Sequence, residues 1–374
     1  MLFLIALSVA ALILLLVVVW NVAAWPQVSS RSRSLPRGVS VLVPARNEEN
    51  NIAACLDSIL RQGKSVGEIL VYDDHSTDRT ASIARSYFTL NHRVRVIEGA
   101  ELPQGWCGKN FACAELAKQA VCEWLLFLDA DARLSERAVE RMLEEAYGRD
   151  VTMLSCWPRL EVESFSEKLL MPMLNFVVFT LFPAPLSLRR NDESLGLSHG
   201  ACIMMSRAEY ESIGGHAAVK DEIFEDTRLA ALWRARGLRG LCLDGQTIVS
   251  VRMYRSVAEI WGGFQKNFFP AFRREASFWL FLALHLFVFL APFILLVPAA
   301  MGLIRIAPVA TAAASVLLMR LLLAVRFGHP LWPALLHPLA EAFLIALGIS
   351  SWWRCKTGRG VAWKGRRYRA TEAG

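Results

Sequence analysis

The chain has 374 residues, of which 54% are apolar and 20% charged, and its net charge is +7. That is room for one globular domain plus several membrane segments. The basic excess gives no nucleic-acid signature, because it gathers in two tracts beside apolar runs (Arg31, Arg33, Arg37; and Arg354, Lys356, Arg359, Lys364, Arg366, Arg367, Arg369) and no basic–aromatic alternation marks the middle of the chain.

Met1 to Trp25 carries no charged side chain, and about 20 such residues suffice to cross a bilayer. No basic region precedes the run and three arginines follow it, so the expectation is an uncleaved anchor at 1–25 rather than a signal peptide. The positive-inside rule then puts the following domain in the cytosol. The eight cysteines form no C-x-x-C pair, so neither a zinc site nor a disulfide framework is implied, and reduced thiols in a cytosolic domain fit best.

From residue 38 onward, strands and helices are predicted to alternate. Val39–Pro44 reads as a buried strand, 51–62 as an amphipathic helix, 68–72 as a strand and 79–88 as a helix. A strand at 93–98, a helix at 110–121 and a strand at 123–128 follow. This alternation predicts an α/β fold with a mostly parallel sheet, whose ligands bind at the carboxyl ends of strands. Three polar clusters, at 45–49, 73–78 and 129–131, lie at such ends. The apolar run 169–188, broken by Pro172, Pro183 and Pro185, reads either as a buried loop–helix or as an in-plane segment lining a lipid site. The segment 251–275 reads as an interfacial connector. Three further apolar runs (278–300, 307–325, 331–353) predict two or three spans within 276–353, followed by a basic tail at 354–374. Three full crossings conflict with a tail that should stay inside.

The runs V-P-A-R-N-E-E, Y-D-D-H-S-T-D and L-D-A-D-A, in that order and spacing, resemble glycosyltransferase family 2 over about residues 38–270. The resemblance implies a GT-A nucleotide-sugar domain at 38–250, with a mixed, mostly parallel sheet, between N- and C-terminal transmembrane helices. It also implies inverting transfer from a nucleoside diphosphate sugar, by analogy UDP-linked. Asp131 first and Asp129 second are the expected ligands of Mg²⁺ or Mn²⁺, a hard cation that reconciles carboxylates with a diphosphate. Asp73 and Asp74 match the pair that grips base and ribose, while Ser76, Thr77 and Asp78 are suited to capping the next helix. Pro44, Arg46 and Glu48 resemble the first nucleotide-binding loop. Lys109, at a helix N-terminus, is expected against phosphate or sugar oxygens.

Glu225-Asp226 looks like the E-D motif of the acceptor side. Asp226 is the expected general base, which takes the acceptor's proton, and Glu225 its support. His199 and Gly200 are weaker acceptor-side candidates, and Arg252 a candidate contact for the leaving diphosphate. The Q-x-x-R-W pattern of processive synthases is absent, which weighs against the alternative of a polysaccharide synthase. A non-catalytic scaffold is the remaining alternative, and the intact acidic motifs oppose it. The tail W-K-G-R-R-Y at Trp363–Tyr368 makes the layout similar to the bacterial group of hopanoid-associated and carotenoid glycosyltransferases. That similarity implies a lipid acceptor at the bilayer and a multi-pass protein of the bacterial inner membrane.

Overall fold

The computed structural model describes residues 1–29, 38–358, 361–363 and 366–368. The basic residues Arg31, Arg33, Arg37, Arg359, Lys364 and Arg369, on which the orientation argument leans, lie outside them. The chain divides into two compact units, one of Met1–Trp25, Val162–Pro185 and Tyr254–Gly374, the other of Pro26–Glu161 and Leu186–Met253. The expected contiguous block 38–250 is therefore interrupted, because the apolar run that starts at Leu169 folds with the apolar unit. Among the described residues all eight cysteines are free.

In chain order the elements begin with α1 (Leu2–Ala24), β1 (Val39–Ala45), α2 (Ile52–Leu60), β2 (Val66–Asp73), α3 (Thr80–Leu90), β3 (Val94–Glu98), α4 (Gly108–Gln119), β4 (Trp124–Leu128), β5 (Ala132–Leu134) and α5 (Ala138–Gly148). Next come β6 (Met153–Trp157), β7 (Arg159–Leu160), α6 (Phe165–Leu170), α7 (Pro172–Leu181), β8 (Cys202–Ser206), α8 (Arg207–Ser212), α9 (Glu225–Ala235), β9 (Gly240–Asp244) and β10 (Val249–Val251). The sheet unit is built on the order β3-β2-β1-β4-β8-β6-β9, with a second sheet β5-β10-β7. β1, β2, β3 and β4 are mutually parallel, whereas β8 runs antiparallel to β4 and β6.

Period-2 alternation sorts the strand residues between two helical layers. Val39, Val41, Val43, Ile69, Val71, Leu126 and Leu128 face one core with α2 and α5. Leu42, Leu70, Tyr72, Leu125 and Phe127 face the other, against α4 and the α9 residues Leu229 and Trp233. The chain leaves β1 toward β2 and β3, then returns to β4 on β1's other side. That reversal is a topological switch point, and a crevice opens there beyond the strand ends. The β1–β4 ladder stops at Leu42–Phe127, so the two strands part before Pro44.

The apolar unit adds α10 (Val257–Phe268), α11 (Glu275–Leu284), α12 (Ala291–Ala300), α13 (Ile306–Arg326) and α14 (His337–Lys356). A π-helical turn, His285–Leu290, joins α11 to α12 just before Pro292, whose missing N–H breaks the regular ladder. Among the described residues, three helices are long and apolar enough to cross a membrane: Leu2–Ala24, Glu275–Ala300 and Ile306–Arg326. The third expected C-terminal run becomes a short 3₁₀ turn at Trp332–Ala334 followed by α14. Buried Asn21 of α1 anchors the turn after α7: its Nδ2 donates to the carbonyls of Phe179 (2.7 Å) and Phe182 (2.8 Å), and its Oδ1 accepts from Ala184 N–H. The tail carries a two-stranded ribbon, β11 (Val361–Trp363) with β12 (Arg366–Tyr368).

Candidate active site

The ends of β1 and β2 lie side by side, Ala45 opposite Asp73, and their loops interlock. Arg46 Nη1 donates to the Asp74 carbonyl at 2.6 Å and stands 3.8 Å from its carboxylate. Asn47, in the left-handed region at φ 52°, donates its N–H to Ser76 Oγ and accepts from Thr77 N–H. Glu48 N–H donates to Thr80 Oγ1 and Glu49 N–H to Asp78 Oδ2. Asp78 also accepts the Thr80 N–H at the start of α3, so the polar run 76–78 serves both loops. Asp73 is buried, and its Oδ1 has no hydrogen-bond partner among the described residues. A buried acceptor left open is costly and suits a donor group on a nucleoside.

At the end of β4, Asp129 N–H donates to the carbonyl of Ala201 at 3.1 Å. This ties the D-A-D turn to the turn that enters β8. Lys109, in the first turn of α4, reaches across with its Nζ 2.9 Å from Asp129 Oδ1 and 3.0 Å from Glu225 Oε1. Burial opposes the lysine's charge, but the two carboxylates outweigh it and hold the amine's pKa well above its ordinary value. Asp226 follows Glu225 at the start of α9. Its Oδ2 accepts the Gly200 N–H at 2.7 Å and its Oδ1 the Thr227 N–H at 2.7 Å. Burial, then the charge of Glu225, raises the Asp226 carboxyl to about 7, while Lys109 and the two N–H donors act against that rise. Space around Gly200 is tight. A Cβ there meets Lys109 Nζ at 3.0 Å and Asp226 Oδ2 at 3.3 Å.

Lys109, Asp129, Glu225, Asp226 and Gly200 thus come together as one charged centre. Lys109 Nζ is occupied by the two carboxylates, because an acidic strand end and an acidic helix start converge on one cation. Arg252 is placed by register. The antiparallel ladder ends with Val251 opposite Ala132, one residue before Arg252 and one after Asp131.

His199 is buried against Trp157, with ring centroids 5.0 Å apart. Its N–H donates to Ser155 Oγ, its Nδ1 accepts from Ala201 N–H, and burial lowers its pKa to about 4. It is a neutral residue that fixes the turn. Asn110 escaped the sequence reading. Its Nδ2 donates to the carbonyls of Val219, Lys220 and Glu222 and so fixes the loop that delivers Glu225 and Asp226. The only sequence signal for it was its place after Gly108-Lys109.

Among the described residues no three His, Cys, Asp or Glu side chains converge in metal-binding geometry. The donor set that exists, the carboxylates of Asp129 and Asp131, fits a hard cation that takes few protein ligands and completes its shell with substrate oxygens.

Residues 40–214 match the family model described as Glycosyl transferase family 2. The 4,4'-diaponeurosporenoate glycosyltransferase of Staphylococcus haemolyticus (strain JCSC1435) is 32% identical over 230 residues, covering 60% of this chain and 59% of the relative. The protein of the same name from Staphylococcus aureus (strain MRSA252) is 28% identical over 223 residues, covering 59% and 57%. The matched region thus spans less than two thirds of these relatives' length. Among solved structures, mannosyltransferase PcManGT from Pyrobaculum calidifontis, in complex with GDP-Man and Mn²⁺, covers 94% of this chain and 98% of its own at a TM-score of 0.60 and 21% identity. The two share a fold.

Proposed function

We propose, for a chain that carries a glycosyltransferase family 2 domain of the GT-A fold, inverting transfer of a sugar from a nucleoside diphosphate donor to a membrane lipid. The observation that carries this reading is the charged centre in which Lys109 spans Asp129 of the D-A-D turn and Glu225 of the E-D pair. It joins a donor-side acid and an acceptor-side acid through one cation. Asp226 is the general base. A carboxylate whose pKa is about 7 combines a useful fraction of the basic form with a strong drive to take a proton. The Gly200 and Thr227 N–H groups hold its two oxygens and aim the carboxylate. Asp73, with its open Oδ1, and Asp74 receive the nucleoside, with Arg46 bracing the loop. Arg252 supports the diphosphate.

Mg²⁺ or Mn²⁺ held by Asp131 and Asp129 would supply positive charge against the departing diphosphate; the fold neighbour was solved with Mn²⁺ and GDP-Man. A lipid acceptor is supported by the relatives' printed substrate, diaponeurosporenoate, and by the three helices of spanning length. Two C-terminal crossings, rather than three, return the chain to the domain's side, so a cytosolic domain and a cytosolic basic tail are compatible.

The test is a donor screen on detergent-purified protein with Mg²⁺ or Mn²⁺ and membrane lipid, following release of the nucleoside diphosphate. Release that needs both metal and lipid is expected. Release that is undiminished in EDTA overturns the metal assignment, and the absence of both release and nucleotide binding overturns the transferase reading.

A further inference from the structure

His199 stands in the turn that enters β8, and the protein holds it from several sides. Its backbone N–H donates to Ser155 Oγ at 2.9 Å, and Ser155 Oγ donates back to its carbonyl at 3.3 Å. The ring meets Trp157 edge to face. Its Nδ1 lies 3.3 Å from the backbone nitrogen of Ala201. A backbone N–H can only donate, so Nδ1 is the bare nitrogen, and in a neutral imidazole the proton then sits on Nε2. Burial keeps the ring neutral against the pull of Asp129, and Lys109 assists. Nε2 has no hydrogen-bond partner among the described residues. It is also not one of the fully enclosed polar atoms left without a partner, so it keeps an open side. A donor with a fixed tautomer, a fixed ring and no protein partner is prepared for a ligand oxygen.

The place of the ring says which oxygen. It feels the charges of both Asp129 and Lys109. Its turn joins the two halves of the charged centre: the Ala201 carbonyl accepts the Asp129 N–H, and the Gly200 N–H holds Asp226. Under the proposed function the diphosphate and its cation lie at Asp129 and the acceptor hydroxyl at Asp226. What lies between those two is the sugar in transfer, whose hydroxyl oxygens accept hydrogen bonds.

We propose that His199 is a sugar-binding residue, whose Nε2–H donates to a hydroxyl of the sugar carried by the nucleoside diphosphate. The proposal rests on the transferase reading and adds a contact to it. The imidazole has two tasks, Nδ1 for the turn and Nε2 for the ligand.

Substitution separates the two nitrogens. In His199→Asn the amide oxygen can still accept from Ala201, while no donor reaches the place of Nε2. His199→Gln carries an amide N–H to that place and gives up the bond to the turn. The full chain in detergent with Mn²⁺ is titrated calorimetrically with UDP, UDP-glucose, GDP and GDP-mannose. For the nucleotide that binds, His199→Asn is expected to weaken the sugar nucleotide about fivefold, as one hydrogen bond provides, and to leave the sugar-free nucleotide unchanged. His199→Gln is expected to retain the ratio of the two affinities. Equal weakening of both ligands in His199→Asn overturns the proposal and leaves the residue a support of the turn. Unchanged affinity for the sugar nucleotide in a folded His199→Asn protein overturns it as well. Where His199→Asn does not fold, a fivefold shift of the ratio in His199→Gln overturns it. Binding of none of the four nucleotides overturns the transferase reading itself, and this contact with it.

Discussion

Replacing Lys109 with methionine keeps the length of the side chain and removes the cation at the heart of the centre. Nζ stands 3.0 Å from Glu225 Oε1, and the lysine side chain is 38% exposed. Unit charges at that distance attract by roughly 5 kcal/mol at an effective dielectric of about 20. Solvent screens much of this at such exposure, and Asp226 feels it one residue away, so the surviving effect on Asp226 is about 1.4 kcal/mol, or about one pKa unit. The sign follows from the chemistry. A cation favours the carboxylate, so removing it raises the Asp226 pKa from about 7 toward about 8. The base works only when deprotonated, so kcat/KM rises with pH through the free enzyme's pKa, and that limb moves upward in Lys109→Met. At pH 7 the basic fraction drops from about one half to about one tenth, a loss of about fivefold on top of any lost donor contact, and this part is recovered near pH 9. The assay is the pH profile of kcat/KM for nucleoside diphosphate release between pH 5.5 and 9.5, taken as an order-of-magnitude window around that pKa. A limb that stays in place while activity falls uniformly refutes the electrostatic link between Lys109 and Asp226.

Gly200→Ala is expected to lower kcat/KM several-fold with little change in thermal stability. Its Cβ presses on Lys109 Nζ at 3.0 Å and Asp226 Oδ2 at 3.3 Å, and the flexible lysine yields; parallel melting curves and kinetics check the separation of the two effects. Asn110→Ala strips one donor group from three carbonyls. It is expected to cost about 1–3 kcal/mol in urea unfolding and to reduce turnover, because the loop before Glu225 loosens.

The α/β alternation was readable because each element carries its own period. Val39, Val41 and Val43 against Leu42 announce a strand covered on both faces, and the acidic clusters mark its neighbours' ends. The positions of Asp73, Asp129 and Asp131 follow from that alone, since polar residues ending apolar strands fall at one edge of a parallel sheet. What could not be read is who meets whom across long stretches of sequence. Lys109 and Glu225 are joined only because β8 folds back antiparallel on β4 and brings the 199–201 turn to the D-A-D turn. Nothing local to Gly108-Lys109 encodes that partner. The run 169–188 was open to two readings for a related reason. Its composition says apolar, but composition does not say which apolar neighbour it joins, and Asn21, about 160 residues earlier, supplies the hydrogen bonds that fix the choice.

The charges themselves reconcile the two views. From the sequence, Lys109 is expected against phosphate or sugar oxygens and Asp129, after Asp131, as a metal ligand, roles that need substrate. In the structure the same lysine and aspartate neutralise each other at 2.9 Å, because two acids and one amine brought to a crevice edge attract. Under the proposed function, Lys109 would contact the diphosphate and Asp129 would help to hold its cation. The Lys109–Asp129 ion pair and the proposed donor contacts use the same side chains. A lysine that measurably lost its pairing with Asp129 on donor binding, read as a donor-dependent change in its reactivity toward an amine-directed label, separates this exchange from a purely structural bridge. A lysine protected equally in both states would mean that Lys109 only holds α4 to α9.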